Sequence, residues 1–92
     1  MKIEYDPTKR LITMDVRGLD FDRVNEIFTA RHTTVVDDRR EYGELRFVTM
    51  GCLDDRLVVV VWTKRDGYRR IISMRKANER EQRKFREQLD GS

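Results

Sequence analysis

The run Leu57-Val58-Val59-Val60-Val61-Trp62-Thr63 constrains this chain more than any other feature. Its residues are apolar or β-branched on both alternating faces, as expected of a strand in the middle of a sheet. Turn signals bracket it: Asp54-Asp55 before, Asp66-Gly67 after. Such pairs tolerate the left-handed backbone that tight hairpins demand. Leu45 to Met50 and Arg69 to Arg75 then read as the flanking strands, with Thr33 to Val36 as a fourth. Short connections make neighbouring strands antiparallel, which gives a meander of three to four strands. Lys2 to Tyr5 can add a short edge strand.

Helical signals surround the meander. Asp6-Pro7 is a cap followed by a first-turn proline, and Gly18 is placed for a left-handed stop. Lys9 to Val16 between them is expected to be helical, with Leu11, Ile12 and Val16 facing inward. Asp20 caps a second helix, whose buried stripe is Phe21, Val24, Ile27 and Phe28. Ala77 to Leu89 consists of good helix formers with a thin apolar side of Ala77, Phe85 and Leu89. A helix this polar rests lightly on its own domain and can offer a binding surface. The expected fold class is α+β: two N-terminal helices, an antiparallel three- to four-stranded meander and a C-terminal helix, in one domain spanning 1–92.

The chain has 92 residues, 40% charged and 38% hydrophobic, which leaves material for one thin core. A single cysteine, Cys52, cannot form an internal disulfide and fits a reducing cytoplasm. His32 is the only histidine. Zinc sites want about four ligands, so neither a metal nor any other cofactor is expected. No apolar stretch follows the first lysine, as a secretory leader would require, and no run is long enough to span a bilayer.

The net charge of +3 hides a strong asymmetry. Residues 64–86 carry ten Lys and Arg against three acidic residues, a local charge of +7 on an otherwise near-neutral body. That pattern suits a polyanion, either nucleic acid or an acidic protein partner. It also fits a merely well-solvated hairpin and helix.

The fourth strand holds the candidate chemistry. With strict alternation, Arg69, Ile71, Ser73 and Arg75 share one face, and Arg70, Ile72, Met74 and Lys76 the other. Ile72 and Met74 are expected in the core. Ser73 and Arg75 then lie on an open face with Val61 and Thr63, with Arg65 at the hairpin end beside them. Guanidinium groups grip phosphate oxygens two-pronged and stay charged at any working pH. Cleaving RNA through its own 2′-hydroxyl requires a base, an acid and positive charge on the phosphorane. Arg75 and Arg65 suit the last role. Glu44, Tyr42, Lys76 and His32 are candidates for proton transfer, although Tyr42 and Glu44 flank Gly43 and can simply fix a turn. His32, remote in sequence from the arginines, can equally be a solvated or capping side chain. Arg69, Arg70, Arg46, Ser73, Thr63 and Tyr42 are candidates for substrate binding.

Four stretches resemble the BrnT toxin family in order and spacing. They are Glu4-Tyr5-Asp6-Pro7-Thr8-Lys9, Arg17-Gly18-Leu19-Asp20-Phe21, Tyr42-Gly43-Glu44-Leu45-Arg46-Phe47 and Arg70-Ile71-Ile72-Ser73-Met74-Arg75-Lys76-Ala77. The last is similar to the family's Arg-Ile-Ile-Ser-Ala-Arg-Lys-Ala signature. The resemblance implies a RelE-like fold and a toxic, metal-independent endoribonuclease. It also implies a BrnA-type ribbon-helix-helix antitoxin, a two-plus-two assembly with it, and contact with operator DNA only through it. RNA, free or on the ribosome, would be the substrate; no membrane partner is implied. The chain departs from the family where Val16-Arg17-Gly18 replaces Lys-His-Gly, where Thr13 replaces Asn, and where Met74 replaces Ala. Arg17 supplies charge but not the general-base chemistry of a histidine. The competing reading is a catalytically inactive module that binds RNA or the antitoxin, with Tyr68 as its main candidate for base stacking.

Overall fold

The computed structural model describes residues 1–39 and 41–90; Arg40, within the polar run Asp37 to Glu41, lies outside them. Among these residues the chain forms strand β1 (Lys2–Glu4), helix α1 (Pro7–Arg17), a 3-10 turn (Phe21–Arg23), helix α2 (Val24–Thr29), strands β2 (His32–Val36), β3 (Arg46–Leu53), β4 (Arg56–Arg65) and β5 (Tyr68–Lys76), and helix α3 (Glu79–Asp90). The sheet order is β1-β5-β4-β3-β2, with the apolar run of β4 in the centre. The fold is α+β, but the sheet is mixed. β1 precedes both early helices and pairs parallel to β5 rather than joining an antiparallel meander. A parallel neighbour needs a long crossover, and here the whole chain between residues 4 and 68 serves as one.

Local chemistry explains the boundaries. Asp6 accepts a hydrogen bond from Thr8 N–H, and Gly18, at φ 67°, closes α1 by donating to Met14 O. Asp20 caps the 3-10 turn through Asp22 N–H. Both hairpins hold two consecutive residues at positive φ, Asp54-Asp55 and Asp66-Gly67, the backbone that matches strand twist in a two-residue turn.

The core lies on the helix side of the sheet. Phe21, Val24 and Ile27 are fully buried against Val58, Val60, Trp62, Ile71 and Met74. Trp62 stacks on Phe47 and meets Phe28 edge-on. Its indole N–H donates to Thr49 Oγ1, which also bonds Thr34 Oγ1, so the buried polar groups beneath the rings are satisfied. At Gly51 α2 packs tightly on the sheet: an added Cβ would lie 2.6 Å from Ile27 Cγ2 and 3.2 Å from His32 Cβ. Gly51→Ala is expected to destabilise the fold by about 1–3 kcal/mol through overpacking. A lower urea midpoint at unchanged slope is the checkable result; an unchanged midpoint would mean that α2 yields freely.

Two expectations about packing fail for identifiable reasons. In α1, Leu11, Ile12 and Val16 are not inward but 63%, 57% and 72% exposed. Polar anchors occupy the side of the helix that meets the body. Arg10 forms a two-pronged pair with Asp20, and Arg17 donates to Met74 O. On β5 the strict alternation is broken by a bulge: Val61 faces Ser73 and Trp62 faces Ile71, leaving Ile72 as the extra residue. Ile71 therefore joins Met74 in the core, whereas Ile72 is only half-buried.

Candidate functional site

The bulge sorts the basic residues of β5. On its hairpin side, Arg69 shares the core face with Trp62; beyond it, Ser73 and Arg75 turn to the opposite, open face. Register then places side chains in rows across that open face. Val35, Val48, Val61 and Ser73 form one row, and Thr33, Met50, Val59 and Arg75 the next. Toward the hairpin end lie Arg46, Thr63, Arg70 and Glu4, then Arg65, Tyr68 and Lys2.

A groove of about 450 Å³ runs over the first two rows. Val48, Met50, Val59, Val61 and Ser73 make its floor. One wall is Asp37, Asp38 and Arg39, and the other is Arg75 with Glu81 and Lys84 of α3. Arg75 is not an unpaired arginine. Its guanidinium forms two parallel bonds of 2.8 Å to the Glu81 carboxylate. Glu81 is itself fixed by a reciprocal cap: Asn78 N–H donates to its carboxylate while its own N–H donates to Asn78 Oδ1. Across the groove, Arg39 grips Asp37 the same way, and Tyr42 O–H donates to Asp37 as well. The Arg46 guanidinium lies 4.1 Å over the Tyr42 ring. The charge of Arg39 reaches both Arg75 and Glu81.

These pairs set the protonation of the groove. Hydrogen bonds from Arg75 hold the Glu81 carboxyl down at about 2. Those from Arg39 hold Asp37 well below the usual carboxylate range. Both walls are therefore ionised at neutral pH, with Arg39, Arg75 and Lys84 as the cations. A carboxylate whose folded pKa lies below its unfolded value contributes stability above the unfolded pKa, near 4.3 for Glu, and loses it as pH falls through the folded one. The docking of α3 is accordingly expected to hold constant above about pH 5 and to weaken between about pH 4.5 and 2. Hydrogen exchange of the α3 amides across that range checks this; protection unchanged at pH 2 would show that the Glu81 clamp does not hold the helix.

The sequence-derived candidates separate in space. Ser73 and Arg75 line the groove, as does Val61. Tyr42 and Glu44 sit in an adjoining depression that shares Asp37 and Asp38 with it. Thr63, Arg46 and Arg70 lie on the same face but one row outside, where Thr63 Oγ1 donates to Leu45 O and Arg70 stands 3.7 Å from Glu4. Arg65 is not beside Arg75: it pairs with Tyr68, whereas Arg75 pairs with Val59, roughly 20 Å further along β4 at about 3.3 Å per residue. Arg69 leaves the site altogether, its guanidinium lying 3.6 Å over the Phe28 ring and 5.1 Å from the Trp62 ring. Lys76 sits opposite Val58 on the other face, against Ala77 and Gln82. His32 is also on the core side, its Nδ1 bonded to Ala30 O and its ring meeting Phe28 edge-on. Asp37, Arg39, Glu81 and Lys84 were missed by sequence reasoning. Only Glu81 left a readable signal, as the fourth residue of the cap Asn78-Glu79-Arg80-Glu81. Among the described residues no three His, Cys, Asp or Glu side chains are grouped to hold a metal ion, and no helix is long and apolar enough to cross a membrane.

No curated protein matches the chain. The family model described as ribonuclease toxin, BrnT, of type II toxin–antitoxin system matches residues 5–81, a span from just after β1 to the first turn of α3 that takes in β2 to β5 and the Arg75–Glu81 clamp. By that match the chain belongs to the BrnT family of ribonuclease toxins, whose type II systems pair each toxin with a protein antitoxin.

Proposed function

We propose that this chain arrests growth by cleaving RNA, probing the phosphodiester in the groove between Arg39 and Arg75. The observation that carries the reading is the convergence of Arg39, Arg75 and Lys84 on one open groove in a chain of this family. We read the arrangement as RelE-like, with α1 and α2 on one face of the sheet and the substrate on the other, beside α3. Arg75 uses two of its five N–H donors on Glu81 and reaches Lys76 O from Nη1 at 3.4 Å, and the others remain for a phosphate oxygen. Held in place by that clamp, it needs no reorganisation to stabilise the charge that develops on the phosphorane. The Ser73 hydroxyl is a second donor from the floor. Asp37 and Glu81, two of the three groove carboxylates, are ionised and engaged by arginines, so neither of these is a strong base or an acid at neutral pH. Catalysis then rests mainly on positioning and charge, with Tyr42 and Glu44 in the adjoining depression as the proton-transfer candidates. Arg65, Lys76, Arg69 and His32 have no part in it. The 2′-hydroxyl is the nucleophile, and the chemistry needs no metal.

The partner in this reading is a BrnA-type ribbon-helix-helix antitoxin in a two-plus-two assembly in the cytoplasm, and operator DNA is reached only through it. The test is incubation of the purified chain with single-stranded RNA in excess EDTA, with and without ribosomes. Products ending in 2′,3′-cyclic phosphate and 5′-hydroxyl are expected. Cleavage only after Mg²⁺ is added would overturn metal independence. RNA intact in every arm, at concentrations where it binds, would favour the non-enzymatic module.

A further inference from the structure

We propose that β2 is a self-association edge, on which a second copy of this chain pairs antiparallel about a two-fold axis through Thr34. Among the described residues the sheet order leaves β2 with β3 as its one neighbour. The direction of its backbone groups follows from the register. Val36 faces Phe47, so Asp37 faces Arg46, and Asp37 N–H donates to Arg46 O at 2.8 Å. In an antiparallel ladder, directly opposed residues alternate between exchanging both bonds and exchanging none. Asp37, Val35 and Thr33 therefore turn their N–H and C=O toward β3, and Val36, Thr34 and His32 turn theirs to the free edge.

Those three outward positions are symmetric about Thr34. A second copy placed across the axis sets Thr34 against Thr34 and His32 against Val36, and each opposed pair can exchange both bonds. The flanking charges are symmetric about the same residue. Arg31 precedes the strand and Asp37-Asp38 follow it, so each end of the ladder brings Arg31 of one copy opposite Asp37 and next to Asp38 of the other. Asp37 is already held by Arg39, whereas neither Arg31 nor Asp38 has an ion pair among the described residues.

The edge also lacks the usual protections. His32-Thr33-Thr34-Val35-Val36 contains no proline, lysine or carboxylate, and Val35 and Val36 are about half exposed. A stranger's strand would satisfy the hydrogen bonds equally well. Only a second copy also satisfies the charges at both ends, which is why the geometry points to self-pairing. The axis stands perpendicular to the sheet, so both grooves open on the same side of one continuous surface, with Val35 of each groove wall beside Thr33 of the other copy.

Sedimentation equilibrium of the full chain tests this. Thr34→Pro removes the outward donor at the axis while leaving the bonds of residues 33 and 35 to β3. Arg31→Asp sets acidic groups together at both ends, and adding Asp38→Arg to it restores opposite charges. The wild type is expected to dimerise. Thr34→Pro and Arg31→Asp should each raise the dimer dissociation constant by roughly tenfold or more, and the double charge swap should return it to near the wild-type value. Urea unfolding shows whether each variant is folded; should Thr34→Pro fail, the charge swap decides alone. A monomeric wild type, or a dimer indifferent to the charge swap, overturns the proposal. An edge occupied only by an antitoxin segment would appear as the first of these and overturns it too.

Discussion

Arg75→Ala is expected to abolish the toxicity of this chain while leaving it folded. Expressed alone in a bacterium, the wild type should stop growth, and co-expression of its antitoxin should restore it. Without Arg75 the groove loses a guanidinium held by a two-pronged clamp in the row next to Ser73, and removal of a preorganised charge contact typically costs about 10²-fold or more in rate. The fold should survive, because the Arg75–Glu81 pair is partly solvated and Glu81 keeps its bond to Asn78 N–H. Pairs of that kind contribute about 0–1 kcal/mol. Arg69→Ala should give the reverse pattern: cleavage retained, but stability reduced by about 0.5–2 kcal/mol as its guanidinium leaves the Phe28 and Trp62 rings. Lys76→Ala should change neither. The measurements are growth after induction, initial cleavage rates and urea midpoints. Equal cleavage by wild type and Arg75→Ala would remove Arg75 from the site, and normal growth at verified expression would count against toxicity itself.

The contrast between Arg69 and Arg75 also marks where the sequence was readable. Alternation along a strand is a local rule, and it served for β4, where Val58, Val60 and Trp62 face the core as their spacing implies. On β5 the same rule put Arg69 beside Arg75, because nothing local in Arg69-Arg70-Ile71-Ile72-Ser73 announces an inserted residue. The bulge appears only through the partner strand, when Trp62 claims Ile71 and Val60 claims Met74. Caps and turns were legible for the opposite reason: Asp6, Gly18, Asp20, Asp54-Asp55 and Asp66-Gly67 act on backbone within a few residues of themselves. In α1, apolar residues suggested an inward face, but Arg10 and Arg17 took the inner positions through partners at residues 20 and 74. The far wall of the groove was invisible for a related reason. Asp37 and Arg39 belong to a run of polar residues with no motif of its own, and only the folding of that loop beside Val48 and Val61 makes them part of a site.

Salt should separate the two ligands of the groove. Binding of single-stranded RNA releases condensed counterions, and log K falls with log salt at a slope of about −0.7 per phosphate neutralised. If RNA engages only Arg39, Arg75 and Lys84, the slope is about −2, and a fourfold rise in salt weakens binding about 20-fold. If the strand continues along the open face to Arg46, Arg70 and Arg65, the slope roughly doubles and the loss reaches about 300-fold. The antitoxin meets a different balance. The groove floor is Val48, Met50, Val59 and Val61, with cations only on its walls. A segment that is acidic at its edges and apolar between can bury that floor, using charge to steer its approach and apolar contact to remain. Antitoxin affinity should therefore fall several-fold at most over the same salt range. Titrating both complexes with the wild-type chain, freed of its antitoxin by unfolding and refolding, and with RNA whose 2′-hydroxyls are methylated so that it cannot be cleaved gives the two slopes directly. Equal slopes would make antitoxin binding mainly electrostatic and remove the apolar floor from the interface. Protection mapped to Leu11 and Ile12 of α1 instead of the groove would show that inhibition works without covering the site.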